Sequence, residues 1–191
     1  MKQKQIDRRT LLSGGLSLAA AASLRNSARA EDRPKPIVPS LEPGAARLAP
    51  LELKLQRPEG GSRALSAWRG TPFVLHVWAT WCAPCKHELP QLDAFMKALG
   101  DDSPIVPVAM ASHGPDAVAA FLKAQNLTHI DPWSADAHEF QSWLGDKPLS
   151  FPSTYLIDAE GRLRAVIEGE TDWEAPESVA QFRKVIAALK K

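Results

Sequence analysis

From Leu51 to the C-terminus, apolar positions fall into blocks of two kinds. "FVLHVWA" (73–79) and "IVPVAMAS" (105–112) are nearly unbroken apolar runs rich in β-formers, as expected of strands buried on both faces. Helical spacing follows each of them. After Cys82, the positions Leu89, Leu92, Phe95, Met96 and Leu99 recur at helical intervals with Gly100 as the stop, and "DAVAAFLKAQNL" (116–127) follows the second run. Strand, helix, strand and helix in that order predict a parallel β-α-β unit. Upstream, "LELKL" alternates like an edge strand and "RPEGG" turns the chain before "SRALSAWRG". Downstream come a short segment near "LTHIDPW" and a helix around "DAHEFQSWLG". "STYLIDAEGRLRAVIEG" then gives two strands joined by a tight turn at Ala159 to Gly161, and "APESVAQFRKVIAALKK" closes the chain as an amphipathic helix.

The first fifty residues follow neither pattern. Residues 1–30 have the layout of an export signal: a basic segment, the mildly apolar run Leu11 to Leu24, and "SARA", a small-x-small cleavage pattern ending at Ala30. Arg8 and Arg9 before Thr10, Leu11 and Leu12 resemble the twin-arginine signal of bacterial proteins exported already folded. The apolar run is shorter than the roughly 20 residues a membrane span needs, so a cleaved leader is expected rather than an anchor. Residues 31–50 carry five prolines (Pro34, Pro36, Pro39, Pro43 and Pro50) and read as an extended tether, with one folded domain over 51–191.

Charge sharpens this division. The whole chain carries +1, yet removing residues 1–30 leaves 17 basic and 21 acidic residues, a net of −4. No basic stripe points to nucleic acid. The sequence shows no internal repeat, nucleotide-binding glycine loop or calcium-loop spacing.

The only two cysteines, Cys82 and Cys85, lie in "WATWCAPCKHELP" (78–90), where the apolar strand gives way to the helix. A structural zinc site takes four Cys or His ligands, and the histidines here are scattered at 76, 87, 113, 129 and 138. A staple across two intervening residues would remove little unfolded-state entropy. At a helix N-terminus, by contrast, backbone N–H groups and the macrodipole favour a thiolate, so the spacing favours a reactive dithiol. Pro84 suits the first helical turn, where its missing N–H costs nothing. Trp81 is placed to cover one side of the sulfur, and Trp78 is placed in the core.

"FVLHVWATWCAPCKHELP", followed about 65 residues later by "FPSTYLIDAEGRLRAVIEGETDW", resembles the TlpA-like thiol:disulfide oxidoreductases of the thioredoxin superfamily. The likeness runs from about Leu51 to the C-terminus. It implies a thioredoxin-like α/β fold, a central mixed sheet flanked by helices, with an N-terminal strand extension and a β-α insertion. It also implies that Cys82 is the exposed nucleophile, that Cys85 is the shielded thiol resolving the mixed disulfide, and that Pro152 is the cis-proline beside them. Two departures stand out. Phe151, before Pro152, makes the substrate-facing lip bulkier and more apolar than is usual in the family. His76 stands six positions before Cys82, where thioredoxin has a buried aspartate; on a buried strand it is expected to be a hydrogen-bonded core residue, and the sharper reading makes it a candidate proton acceptor for Cys85. His87 and Glu88, one turn into the helix, are within reach to tune the thiolate but are expected to face solvent, and Gly169 and Trp173 are placed at the junction to the last helix.

The expected function is therefore an exported disulfide reductase, periplasmic in a Gram-negative bacterium. It would need no cofactor or metal beyond its dithiol and would be charged by a membrane thiol relay. Its client would be a protein with a disulfide or with metal-site thiols, and it would act as a monomer. The competing readings are a disulfide oxidase or isomerase running the same dithiol in other directions, and a copper(I) chaperone, since thiolates suit Cu(I).

Overall fold

The computed structural model describes residues 35–36, 47–174 and 178–190; the export signal expected over 1–30, and most of the expected tether, lie outside them. Its strands are β1 (Lys35–Pro36), β2 (Lys54–Gln56), β3 (Ser62–Ala64), β4 (Phe73–Trp78), β5 (Ile105–Met110), β6 (Trp133–Ala135), β7 (Ser153–Ile157), β8 (Leu163–Glu168) and β9 (Thr171–Asp172). Four helices accompany them: α1 (Ala83–Leu99), α2 (Pro115–Ala124), α3 (Ala137–Leu144) and α4 (Ser178–Ala188). Seven strands form a mixed sheet in the order β3-β2-β6-β5-β4-β7-β8, with β4, β5 and β6 parallel and the other pairs antiparallel. This is the thioredoxin-like α/β architecture expected from the sequence. Among the described residues no helix is long and apolar enough to cross a membrane.

The unbroken apolar runs are the sheet centre: every residue of β4 and β5 is buried. Successive side chains of β4 point to opposite faces. Val74 and Trp78 join one apolar cluster with Leu89, Leu92 and Phe95 of α1, Val118 of α2 and Phe182 of α4. Phe73, Leu75 and Val77 join a second with Leu55, Trp133, Phe140 and Tyr155. By the same alternation, His76 is on the α1 face.

Helix α1 starts where its sequence dictates. Cys82 is the N-cap, its Sγ accepting the Cys85 N–H at 3.2 Å, and Gly100 ends the helix at φ 90°. Pro90 interrupts it, having no N–H to donate to the Lys86 carbonyl. Helix α3 is capped by Asp136, whose carboxylate accepts the Glu139 N–H at 2.7 Å.

The packed chain begins earlier than Leu51. Arg47 and Ala49 bond the β7–β8 hairpin through Leu163 N–H to Arg47 O and Ala49 N–H to Gly161 O, both at 2.9 Å, and Leu48 bridges Arg162. Lys35–Pro36 pairs in parallel with Thr171–Asp172. Proline-rich composition thus marked low packing content without marking where the backbone finds partners. The alternation in "LELKL" is realised only from Lys54, because residues 51–52 form a turn.

Candidate functional site

Strand β4 ends at Trp78 and three residues carry the chain to Cys82 at the head of α1. Cys82 and Cys85 are joined by a disulfide, with Cα atoms 5.3 Å apart. Cys82 keeps 4% of its surface exposed and Cys85 none, the expected order, although the first sulfur is more covered than the sequence suggested. The Cys85 N–H aimed at Cys82 Sγ is the donor that would hold a thiolate there.

Trp81 is 57% exposed, the most exposed large apolar side chain among the described residues. It is nonetheless fixed. Its indole N–H donates to Ala111 O at 2.8 Å, and its ring meets Phe151 edge-on at 5.4 Å. The neighbouring Thr80 N–H donates to Ser112 Oγ at 3.0 Å, and that hydroxyl donates to Met110 O at 2.9 Å. The receiving loop holds Ala111 and His113 at positive φ, 49° and 61°, an unusual conformation for residues with side chains. Trp78 is fully buried against Phe121, a core residue as its sequence position indicated.

On the other side, the Phe151–Pro152 peptide bond is cis. Pro152 is buried, and its carbonyl accepts the Gly169 N–H at 2.8 Å. Phe151 packs against the cluster that holds both cysteines. Trp81 and Pro84 adjoin the cysteines in sequence, and Trp81 and the cluster that holds both cysteines are each in contact with Phe151.

His76 is fully buried on β4, its Nδ1 3.0 Å from Thr154 Oγ1 and its Nε2 without a partner. Burial pushes its pKa down to about 3, which keeps the ring neutral.

Glu88 reverses the sequence reading. His87 is exposed as expected, with Nδ1 3.2 Å from Glu170 Oε1, but Glu88 is only 1% exposed. Its Oε1 accepts the Thr171 N–H at 3.2 Å and the Trp173 indole N–H, while its Oε2 is buried with no partner. Burial is the largest influence on the carboxyl and raises its pKa to about 7 against the lowering by these two hydrogen bonds. Trp173 also sets its ring edge-on to His76 at 5.8 Å. The local signal was present: 85, 88, 89, 92, 95 and 96 trace one helical face, and a glutamate on it is buried by position. Trp173, assigned to junction packing, is also a donor to this acid.

Among the described residues no group of three or more His, Cys, Asp or Glu is placed to hold a metal ion.

Comparison with known proteins places this geometry. The AhpC/TSA family model matches residues 46–166. Thioredoxin-like protein YneN of Bacillus subtilis is 28% identical over 123 residues, 62% of this chain and 68% of that protein. Thiol-disulfide oxidoreductase ResA of Bacillus thuringiensis is 28% identical over 129 residues, 67% of this chain and 70% of that one. The crystal structure of a DsbF homologue from Corynebacterium diphtheriae superposes with a TM-score of 0.55 at 25% identity, covering 75% of this chain and 88% of that one.

Proposed function

The chain belongs to the AhpC/TSA family, among the TlpA-like thiol:disulfide oxidoreductases of the thioredoxin superfamily, and on that premise we propose that it is an exported reductase of client disulfides. The observation that carries this reading is the asymmetry of the dithiol. Cys82 caps α1 with an N–H aimed at its sulfur and retains an opening to solvent, whereas Cys85 is sealed.

The Cys82 thiolate attacks one sulfur of a client disulfide and expels the other as a thiolate. Cys85 then attacks Cys82 Sγ, which closes the internal disulfide and releases the second client sulfur. Two electrons pass to the client, and the product is the oxidised state that the structure holds. Trp81 and Phe151 offer an apolar lip to the client, with Pro152 completing the rim and Pro84 holding the first turn of α1. The client is a protein with a disulfide or with metal-site thiols, met in the periplasm. A membrane thiol relay returns the enzyme to the dithiol, the dithiol itself serves in place of a cofactor, and the enzyme works as a monomer.

Direction of electron flow is the test. The Cys82–Cys85 couple is titrated against glutathione and dithiothreitol buffers, following tryptophan fluorescence. A potential well below about −200 mV is expected, and a value near the roughly −120 mV of strong periplasmic oxidants would make the protein a disulfide donor instead.

A further inference from the structure

At the far end of the dithiol helix, two arginines are held against two tryptophans. Leu55 of β2 pairs with Arg63 of β3, and the Arg57 N–H donates to Gly61 O at 2.7 Å, so the pairing continues past the end of β2. Arg57 lies two positions after Leu55 and therefore on the same face, as the diagonal neighbour of Arg63, with about 7–8 Å between their Cα atoms. The Arg63 guanidinium carbon stands 4.6 Å from the centre of the Trp68 ring, and that of Arg57 4.9 Å from the centre of the Trp133 ring. Trp68 and Trp133 meet edge to face at 6.0 Å. Attraction between cation and ring lets the sheet carry two like charges side by side.

All four side chains line one cavity of about 640 Å³, within the size range of small-molecule sites. Its wall continues through Ile105 and Pro107 of β5 and through Met96, Lys97 and Gly100 at the end of α1. That helix rises about 25 Å from its N-terminal dithiol, so the cavity is a place apart from the exchange site.

The charges on the lining are unequally spent. Arg57 is paired with Asp131 at 3.2 Å. His129 is turned by Asp93, whose Oδ2 lies 3.0 Å from its Nδ1 and whose Oδ1 accepts its backbone N–H at 2.7 Å. Arg63 makes no hydrogen bond or ion pair among the described residues and is held by the Trp68 face alone. Stacking occupies the face of a guanidinium, whereas its N–H donors lie in the plane and point outward from the edge. Arg63 is thus fixed in place with its donors unused. Lys97 adds a second cation and Asp101 an acid, which leaves the lining with a positive charge in excess.

We propose that this cavity binds an organic monocarboxylate, with the Arg63 guanidinium holding both carboxylate oxygens in two parallel N–H···O bonds. The planar fork of arginine matches a planar carboxylate. Asp101 and Asp131 on the same lining repel a second negative charge, which disfavours phosphate and dicarboxylates. The carboxylate occupies a small part of the volume. Trp68, Met96, Pro107 and Trp133 offer the rest to an apolar or aromatic body. This site is additional to the thiol–disulfide exchange proposed above and does not depend on it.

Benzoate, acetate and inorganic phosphate are titrated separately into the full chain labelled with nitrogen-15, following the Nε–H signal of Arg63 and the indole signals of Trp68 and Trp133. Benzoate should saturate, bind more tightly than acetate, and move these three signals while leaving that of Trp81 in place. Arg63→Gln removes charge and fork together, Arg63→Lys the fork alone, and each should weaken benzoate at least about tenfold. Arg63 stands on the exposed edge strand β3, so both variants should keep the fold, which urea unfolding verifies. Unchanged benzoate affinity in Arg63→Gln would overturn the proposal. So would full affinity in Arg63→Lys, since charge alone would then suffice. Phosphate binding more tightly than benzoate, or signals that shift without saturating, would overturn it as well.

Discussion

The Trp173 indole N–H donates to Glu88 Oε1 across 85 positions of sequence, so the segment after β8 reaches back to the helix that bears the dithiol. That bond stabilises the carboxylate form. Trp173→Phe should therefore raise the Glu88 pKa further above about 7. Leaving Oε1 with one donor should also cost about 1–3 kcal/mol of stability. Carboxyl NMR titration and urea unfolding read the two effects separately.

Two buried groups tilt stability against pH in opposite directions. Burial lowers His76 from 6.5 to about 3, so as pH falls from 6.5 the unfolded chain gains a proton that the folded chain refuses, and stability drops. Glu88 is raised from 4.5 to about 7, so as pH rises through that range the unfolded chain sheds a proton that the folded chain keeps, and stability again drops. Each slope is about 1.4 kcal/mol per pH unit, and between pH 4.5 and 6.5 the two cancel. Relative to wild type, His76→Asn should uncover a fall of about 3 kcal/mol with rising pH over that window, and Glu88→Gln a rise of similar size. Urea unfolding at a series of pH values measures this, and parallel curves for all three proteins would contradict it.

These two groups also mark the limit of what the sequence discloses. Strands β4 and β5, helix α1 and its N-terminal dithiol were legible because each is written locally, as an apolar run, a 3.6-residue period or a spacing. The β7–β8 hairpin was legible for the same reason, its turn residues lying between two apolar segments. The burial of Glu88 was legible in that same helical period, but its lining by Thr171 and Trp173 was not, because no local pattern says which distant segment will close over a helix. Residues 47–49 were misplaced for a related reason: their partners, Gly161, Arg162 and Leu163, are over a hundred positions away.

Removing each sulfur should stop the reaction at a different point. Cys85→Ser should accumulate a covalent adduct between Cys82 and a disulfide peptide, visible by mass spectrometry under non-reducing conditions. Cys82→Ser should give neither adduct nor thiol release. Adducts forming through Cys85 would exchange the two roles.

The edge-to-face pair of Trp81 and Phe151 should matter to clients more than to folding, since Trp81 stands largely in solvent. Phe151→Ala removes a contact of about 0.5–1.5 kcal/mol. With aromatic residues flanking the peptide disulfide, kcat/KM should fall by up to about tenfold, and with glycines there it should change little. Equal losses for both peptides would assign Phe151 to packing alone.

Gly161 closes the β7–β8 turn at φ +83°, and a Cβ there would stand 2.9 Å from Leu51 Cδ1. Gly161→Ala therefore meets both an unfavourable backbone region and a close neighbour. A loss of about 1–3 kcal/mol is expected in urea unfolding, without change in the potential of the dithiol.

Pro90 divides α1 unequally. Ahead of it lie the capping sulfur, Cys85 and Glu88; behind it lie Leu92, Phe95 and Met96, which key the helix into the core. A helix missing one rung of its ladder is more compliant there than elsewhere. The hydrogen-bond ladder of the helix thus lacks a rung between the turn that holds the two sulfurs and the turns that are seated in the core.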